Sequence, residues 1–395
     1  MFKRALAGVA RLYHAARPPS LPGLRLTPTR LLNYHLVNYQ RSHGHTKLRG
    51  HPLILTLEAT NVCNLHCPHC FTGAGEVGRE RSAMPMDVYR RVIDELGDYA
   101  LMLDFYNWGE PLLNKNLPEM IGLASKKGIA TVISTNFSVP FDQGRAEALV
   151  ASGLGVLGAG IDGASQETLV QYRVGAKFSK IMENMKLLVD AKKRLRSTTP
   201  EIYWSFHIFE HNRHEIEKAR AMAEELGVKF AATKGWVAGE AWDPNDEFQF
   251  PSGAPPLPER CKYLWTYAIV NNDGRVAPCS ACFYETDDFG SVASSAFKEV
   301  WNNKDFQEAR RLFGSQESSS HGKSLVCHDC PQTLTWDEYQ AHRAQGLPKS
   351  SFRSSYTTND WFNYFFSRRP VRQPPSTEDA IPLTPAAGPS WAADR

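Results

Sequence analysis

Three thiols fall within eight residues of this chain: Cys63, Cys67 and Cys70, at C-x3-C-x2-C spacing directly after the apolar run from Leu53 to Leu57. Thiolates are the ligands of iron–sulfur clusters, and a short loop leaving a buried strand can turn three of them to one side. A cubane has four irons, so three cysteines leave one iron open to a chelating small molecule. His66 and His69 share the loop, and a mixed Cys/His zinc site is the other chemistry that this spacing permits.

The other five cysteines are Cys261, Cys279, Cys282, Cys327 and Cys330. Between the first two, Tyr267 to Val270, Asn271-Asn272-Asp273-Gly274 and Arg275-Val276 read as a β-hairpin with an Asp-Gly turn. Such a hairpin brings Cys261 and Cys279 to the same end. The Cys279-x2-Cys282 and Cys327-x2-Cys330 pairs suit zinc as well as a cluster, although the 44 residues between them far exceed a usual zinc ribbon.

The elements that position these thiols show in the periodicity. Apolar and β-branched runs predict strands over 53–58, 101–106, 130–134, 155–161, 202–209 and 228–232. Amphipathic helices are expected near 86–98, 116–127, 142–152, 165–172, 178–195 and 212–226, with Gly97, Gly128, Gly153 and Gly227 as left-handed C-caps. Six β–α units are two short of an eight-fold barrel, and barrel chemistry sits at the C-terminal ends of the strands. In the fifth strand Phe206 and His207 alternate, so one faces the lumen; a core role is expected for His207 and helix-start positions for His211 and His214.

The stretch Glu58-Ala59-Thr60-Asn61-Val62-Cys63 through Cys70 resembles the radical S-adenosylmethionine (SAM) enzymes. That resemblance implies an α/β fold, a partial (βα)6 TIM-like barrel, a [4Fe-4S] cluster on Cys63, Cys67 and Cys70, and SAM on the open iron. In the family, reductive cleavage of SAM gives a 5′-deoxyadenosyl radical that abstracts a substrate hydrogen. His69 stands where relatives often have an aromatic residue, and its ring is expected beside adenine. Asn107-Trp108-Gly109-Glu110-Pro111 is similar to the family's Gly-Glu-Pro segment, which in relatives contacts the SAM amino group. Ser134-Thr135-Asn136 stands for Thr-Asn-Gly with Phe137 in place of glycine; Ser134 and Asn136 are expected off the strand end, one of them toward ribose, with an Asx turn as the alternative. Gly160-Ile161-Asp162-Gly163 with Tyr172-Arg173 is similar to Ser-Ile-Asp-Gly … Tyr-Arg, which implies that Arg173 meets the SAM carboxylate; Asp162 could instead cap the following helix.

The hairpin, the amphipathic helix near 296–312 and the final C-x-x-C resemble the auxiliary-cluster domain of the SPASM/twitch subgroup. The resemblance implies one auxiliary [4Fe-4S] cluster on Cys261, Cys279, Cys327 and Cys330, in a small α+β domain. Whether Cys279 or Cys282 is the ligand stays open; the Gly274-x4-Cys279 spacing favours Cys279. A spare Cys282 could return a hydrogen atom to a substrate radical, which would make the outcome an epimerisation.

Of 395 residues, 45 are Lys or Arg and 42 Asp or Glu, a net charge of +3. The charge is unevenly spread: residues 1–57 hold nine of the cations and no carboxylate. That leader is expected to be a surface arm or to touch a membrane surface peripherally. Within it, the aromatic patch Asn33 to Tyr39 is expected on a helix packed against the barrel. The C-x-x-C groupings fit a reducing, cytoplasmic compartment. The expected organisation is a basic arm (1–50), the barrel (51–240), an acidic Pro/Gly-rich connection (236–258), the auxiliary-cluster domain (259–335) and a disordered proline-rich tail (368–395). The function expected first is an oxidoreductase-like two-electron oxidation of a small molecule, such as a sugar or lipid-linked precursor. The alternatives are peptide modification, epimerisation or a zinc-stabilised binding protein. A flavodoxin or ferredoxin is the expected electron donor, and no nucleic acid is expected as a partner.

Overall fold

The computed structural model describes residues 20–234, 261–314 and 325–329. Among the described residues the first element is helix α1 (Pro28–Ser42), capped by the Thr27 side chain accepting from the Arg30 amide. Strands and helices then alternate: β1 (Ile54–Leu57), α2 (Met86–Leu96), β2 (Met102–Asp104), α3 (Leu117–Lys127), β3 (Ala130–Thr135), α4 (Gln143–Ala151), β4 (Val156–Gly160), α5 (Gln166–Tyr172), α6 (Phe178–Arg194), β5 (Glu201–Ile208), α7 (Ile216–Leu226) and β6 (Lys229–Lys234). All six strands pair in parallel in sequence order, the open arrangement expected of a partial barrel. The hairpin follows as α8 (Tyr263–Thr266), β7 (Tyr267–Val270) and β8 (Val276–Ala277), with α9 (Phe297–Trp301) and α10 (Lys304–Gly314) after it.

The hairpin forms as expected, with Gly274 at φ +82° closing the turn and donating to Asn271 O. Its position adds something that periodicity does not carry. Strand β7 pairs in parallel with β1, Ile54 opposite Tyr267 and Leu57 opposite Val270, so the hairpin extends the barrel sheet at its free edge. One sheet therefore carries both cysteine sets.

Helix α2 buries Val88, Tyr89, Val92, Ile93 and Leu96, the stripe that a 3.6-residue period directs toward a core. Gly128 and Gly227 cap α3 and α7 in the left-handed conformation. Gly97 departs from that expectation. It is right-handed at φ −62°, and glycine is needed there because a Cβ would lie 2.5 Å from Ile93 O. The expected connection over 236–258, the tail over 368–395, residues 1–19 and Cys330 lie outside the described residues.

Candidate active site

The parallel register sorts the lumen from the core. Residues of one parity on each strand share a face, so Thr56 and Glu58, Ser134 and Asn136, Gly160 and Asp162, and Ser205 and His207 line up across the sheet. Trp204 and Phe206 take the other face and are fully buried. His207 is therefore not the core histidine expected: it faces the lumen, with over a third of its side chain exposed.

The loop after β1 carries Cys63, Cys67 and Cys70. Cys67 is buried and the other two half-buried. The loop is pinned from several sides. The His66 amide donates to Val174 O, Asn64 Nδ2 to Ser138 O and the Cys70 amide to Cys67 O. Gly73 is required beneath it, because a Cβ there would fall 2.5 Å from both Cys67 N and Cys67 O. Burial pushes the Cys63 thiol up to about 11. Burial also raises the Cys67 thiol, against the positive charge of Arg173 beside it. Three soft donors on a half-buried, glycine-tightened loop next to a guanidinium fit a cluster that needs thiolates and binds an anionic chelate. Among the described residues no three His, Cys, Asp or Glu side chains converge on a point suited to a single metal ion.

Glu110, in the segment after β2, is buried. Its Oε1 accepts from Thr135 Oγ1 (2.7 Å) and Leu112 N (3.0 Å), and its Oε2 from Asn136 N (2.7 Å). The carboxylate thus ties the end of β2 to the end of β3, while its backbone amide donates to Val62 O in the cysteine loop. Gly109 is sterically obligatory, since a Cβ would sit 1.9 Å from Thr60 O. Pro111 opens a short 3-10 turn behind it.

Asn136 makes the Asx turn, accepting from Ser138 N, and with Nδ2 also reaches Asn64 Oδ1 (3.0 Å) and Cys63 Sγ (3.8 Å). Phe137, where relatives have glycine, is held at φ +55°, a conformation costly for a side chain, and is fully buried against Phe141. Ser134 is half-exposed on the lumen face.

Asp162 does not cap α5; the Ser165 side chain does, accepting from Thr168 N. Fully buried, Asp162 bridges two groups instead. Oδ2 accepts from Arg173 Nε (2.6 Å), and Oδ1 accepts from His207 N (2.7 Å) and lies 3.0 Å from His207 Nδ1. Burial opposes ionisation of Asp162, but Arg173 and His207 outweigh it and hold the carboxyl well below the usual range. His69 stacks on Tyr172 at 6.0 Å, Tyr172 meets Phe209 at 4.3 Å, and Phe209 stacks on His211. These rings form an aromatic wall beside Cys70. His211 and His214 stand in a 3-10 turn before α7.

At the second set Cys261, Cys282 and Cys327 are buried and Cys279 half-buried. Cys279 Sγ and Cys282 Sγ are 3.7 Å apart, and Cys282 lies close enough to Cys327 for their charges to interact. Burial and the nearby Cys279 push the Cys261 thiol up to about 11. Each of these thiols neighbours at least one other, and soft donors of this kind suit a thiolate-bound cluster. The structure therefore groups Cys282 with these cysteines.

Sequence reasoning missed the contact that joins the two sets. Phe71, next to Cys70, stacks on Phe283, next to Cys282, with centroids 5.0 Å apart, and Trp108 packs edge-on to both. It also missed Glu58, buried under this contact and accepting from the amides of Trp108 (3.1 Å) and Asn272 (3.3 Å). The only signal was parity: Glu58 continues the lumen face of β1.

Comparison with known proteins agrees with these observations. The Radical SAM superfamily profile matches residues 57–220, and that of an iron-sulfur cluster-binding domain, SPASM, matches residues 261–331. PqqA peptide cyclase of Granulibacter bethesdensis is 24% identical over 64% of this chain and 74% of its own length. Fe-coproporphyrin III synthase of Methanosarcina barkeri is 29% identical, but over only 42% of this chain and 39% of its own length. Among solved structures, Streptococcus suis SuiB bound to S-adenosylmethionine superposes with a TM-score of 0.54 at 15% identity, covering 77% of this chain and 76% of that one, a likeness of fold. The chain belongs to the radical SAM superfamily, as a radical SAM domain followed by a SPASM iron–sulfur cluster-binding domain.

Proposed function

We propose that this enzyme modifies a peptide by radical chemistry, with the second cysteine set exchanging electrons with the first. The stacking of Phe71 on Phe283 carries the reading, because it leaves one aromatic contact between the residues next to Cys70 and Cys282. A [4Fe-4S] cluster on Cys63, Cys67 and Cys70, when bound, supplies the electron that cleaves SAM to the hydrogen-abstracting radical.

This chain's own groups have distinct work. Arg173, aimed by Asp162, presents its remaining guanidinium edge to a carboxylate. Asn136 steadies the loop beside Cys63, and Ser134 offers a hydroxyl on the lumen face. The His69–Tyr172 wall is an apolar, stackable surface for a purine. Glu110 holds the β2 and β3 ends that carry Gly109, Pro111 and Asn136 in register. Cys261, Cys279, Cys327 and Cys330 are the proposed auxiliary ligands, one cluster in all, with Cys282 beside them.

A peptide is favoured over the small molecule expected first because PqqA peptide cyclase aligns over 64% of this chain and 74% of its own length, whereas Fe-coproporphyrin III synthase covers 42% of this chain and 39% of its own. The test is anaerobic reconstitution followed by SAM, dithionite and candidate peptides, read by mass spectrometry. Formation of 5′-deoxyadenosine together with a peptide lighter by two hydrogens is expected. The proposal fails if no 5′-deoxyadenosine forms, or if it forms equally with Cys67→Ser.

A further inference from the structure

Helix α1 is inside out. Its barrel-facing side is Arg30, Asn33, Val37 and Gln40, mostly polar, and all four are buried. The Arg30 guanidinium is spent on main-chain carbonyls, donating to Ala100 O (2.8 Å), Gly97 O (2.8 Å) and Lys127 O (3.0 Å). Asn33 Nδ2 donates to His51 O and its Oδ1 accepts from His51 N, while Gln40 accepts from Gly50 N. The side turned to solvent carries an apolar stripe beside the exposed Thr29, His35 and Ser42. Leu32, Leu36 and Tyr39 follow at i, i+4 and i+7, exposed by 71%, 37% and 55%, and Leu26 just before the helix is 44% exposed.

A surface helix ordinarily does the reverse, burying its apolar stripe and wetting its polar one. Seven large hydrophobic side chains are exposed among the described residues, and these are four of them, so the stripe is a concentration rather than scatter. Cations frame it: Arg25, Lys47 and Arg49 are exposed around the helix, and residues 1–57 contain no carboxylate. The neighbouring acid, Asp98, is paired with Lys127.

We propose that this face is a docking surface for an anionic lipid bilayer. An apolar stripe on a rigid helix, flanked by cations and free of acids, is what partitions into the headgroup boundary of negatively charged membranes. The hydrogen bonds of Arg30, Asn33 and Gln40 fix the helix so that its apolar side has no route to the core.

The location sets the orientation of the enzyme. Gly97, Ala100 and Lys127 lie where the chain enters β2 and β3, at the N-terminal ends of the strands. Cys63, Asn136 and Asp162 leave the opposite ends. Docked through α1, the barrel therefore lies floor-down with its open mouth turned away from the lipid. Substrate then arrives from the aqueous side, and a lipid-linked precursor held in the same bilayer does not reach the site.

Co-sedimentation of the reconstituted full chain with vesicles tests this. Binding to mixed phosphatidylcholine–phosphatidylglycerol vesicles, weak binding to phosphatidylcholine alone and release by salt are expected. The double substitution Leu32→Glu/Leu36→Glu should lower partitioning by about ten-fold or more, with iron content and 5′-deoxyadenosine yield unchanged. Three results would overturn the proposal: no binding by the unaltered chain; binding that survives the double substitution; or, without vesicle binding, a dimer in light scattering that the same substitutions dissociate.

Discussion

Asp162 Oδ2 and Arg173 Nε meet at 2.6 Å, and Nη2 of the same guanidinium lies 2.7 Å from where a side chain at Gly160 would begin. The glycine that replaces the family's serine thus makes room for the arginine. Losing the fork while keeping the charge isolates what the geometry contributes. Arg173→Lys is expected to weaken SAM binding about ten-fold, ~1.4 kcal/mol, in calorimetry of the anaerobic protein, with iron content unaltered. Gly160→Ser, which displaces the Nη2 end, should weaken binding in the same sense. Unchanged affinity in both would mean that the guanidinium serves only Asp162.

Glu58 gives a pH dependence whose sign follows from its burial. Desolvation pushes its carboxyl from 4.5 up to about 7, against hydrogen bonds from Trp108 and Asn272 and the charge of Arg79. Between those values the folded protein keeps a proton that the unfolded chain has released. Stability from this group is therefore full below about 4.5 and lost as the pH rises through about 7, a contribution on the order of 3 kcal/mol. Urea unfolding at a series of pH values should show this fall, and Glu58→Gln should flatten it. A slope remains in that variant, because Asp288 is likewise pushed up by burial, to about 6. An unchanged slope in Glu58→Gln would refute the assignment.

Local chemistry made the six barrel strands, the hairpin and the cysteine loop legible in the sequence. A buried parallel strand reads as an apolar run, and Asp273-Gly274 can hardly be anything but a turn. What stayed hidden depended on pairings distant in the chain. That β7 docks on β1 rests on two edges meeting across more than 200 residues. The side on which His207 faces was a choice between two parities, settled only when β4 fixed the register of β5 and set Asp162 opposite. Asp162 looked like a helix cap because aspartate usually is one; Ser165 took that position, and a buried arginine claimed the carboxylate. Helix α1 packs on the barrel as expected, but mainly through polar side chains, Arg30, Asn33 and Gln40, whose partners are backbone groups far away in the chain or beyond the helix end.

Cys282 is fully buried, 3.7 Å from Cys279, and its amide donates to Cys279 O. A thiol that returns a hydrogen atom must reach the substrate radical in the open lumen, and this one instead turns toward the other auxiliary cysteines. The two sulfurs are within hydrogen-bonding reach, and either thiol can be the donor. Removing it should therefore change the electronic surroundings of the auxiliary cluster and leave hydrogen abstraction alone. Cys282→Ala is expected to make 5′-deoxyadenosine at the normal rate while altering the electron paramagnetic resonance signal of the auxiliary cluster. Products formed in deuterium oxide should carry no solvent deuterium at carbon in either protein. Deuterium in the normal product that disappears in Cys282→Ala, with unaltered cluster spectra, would return this thiol to the role of hydrogen donor and make the reaction an epimerisation.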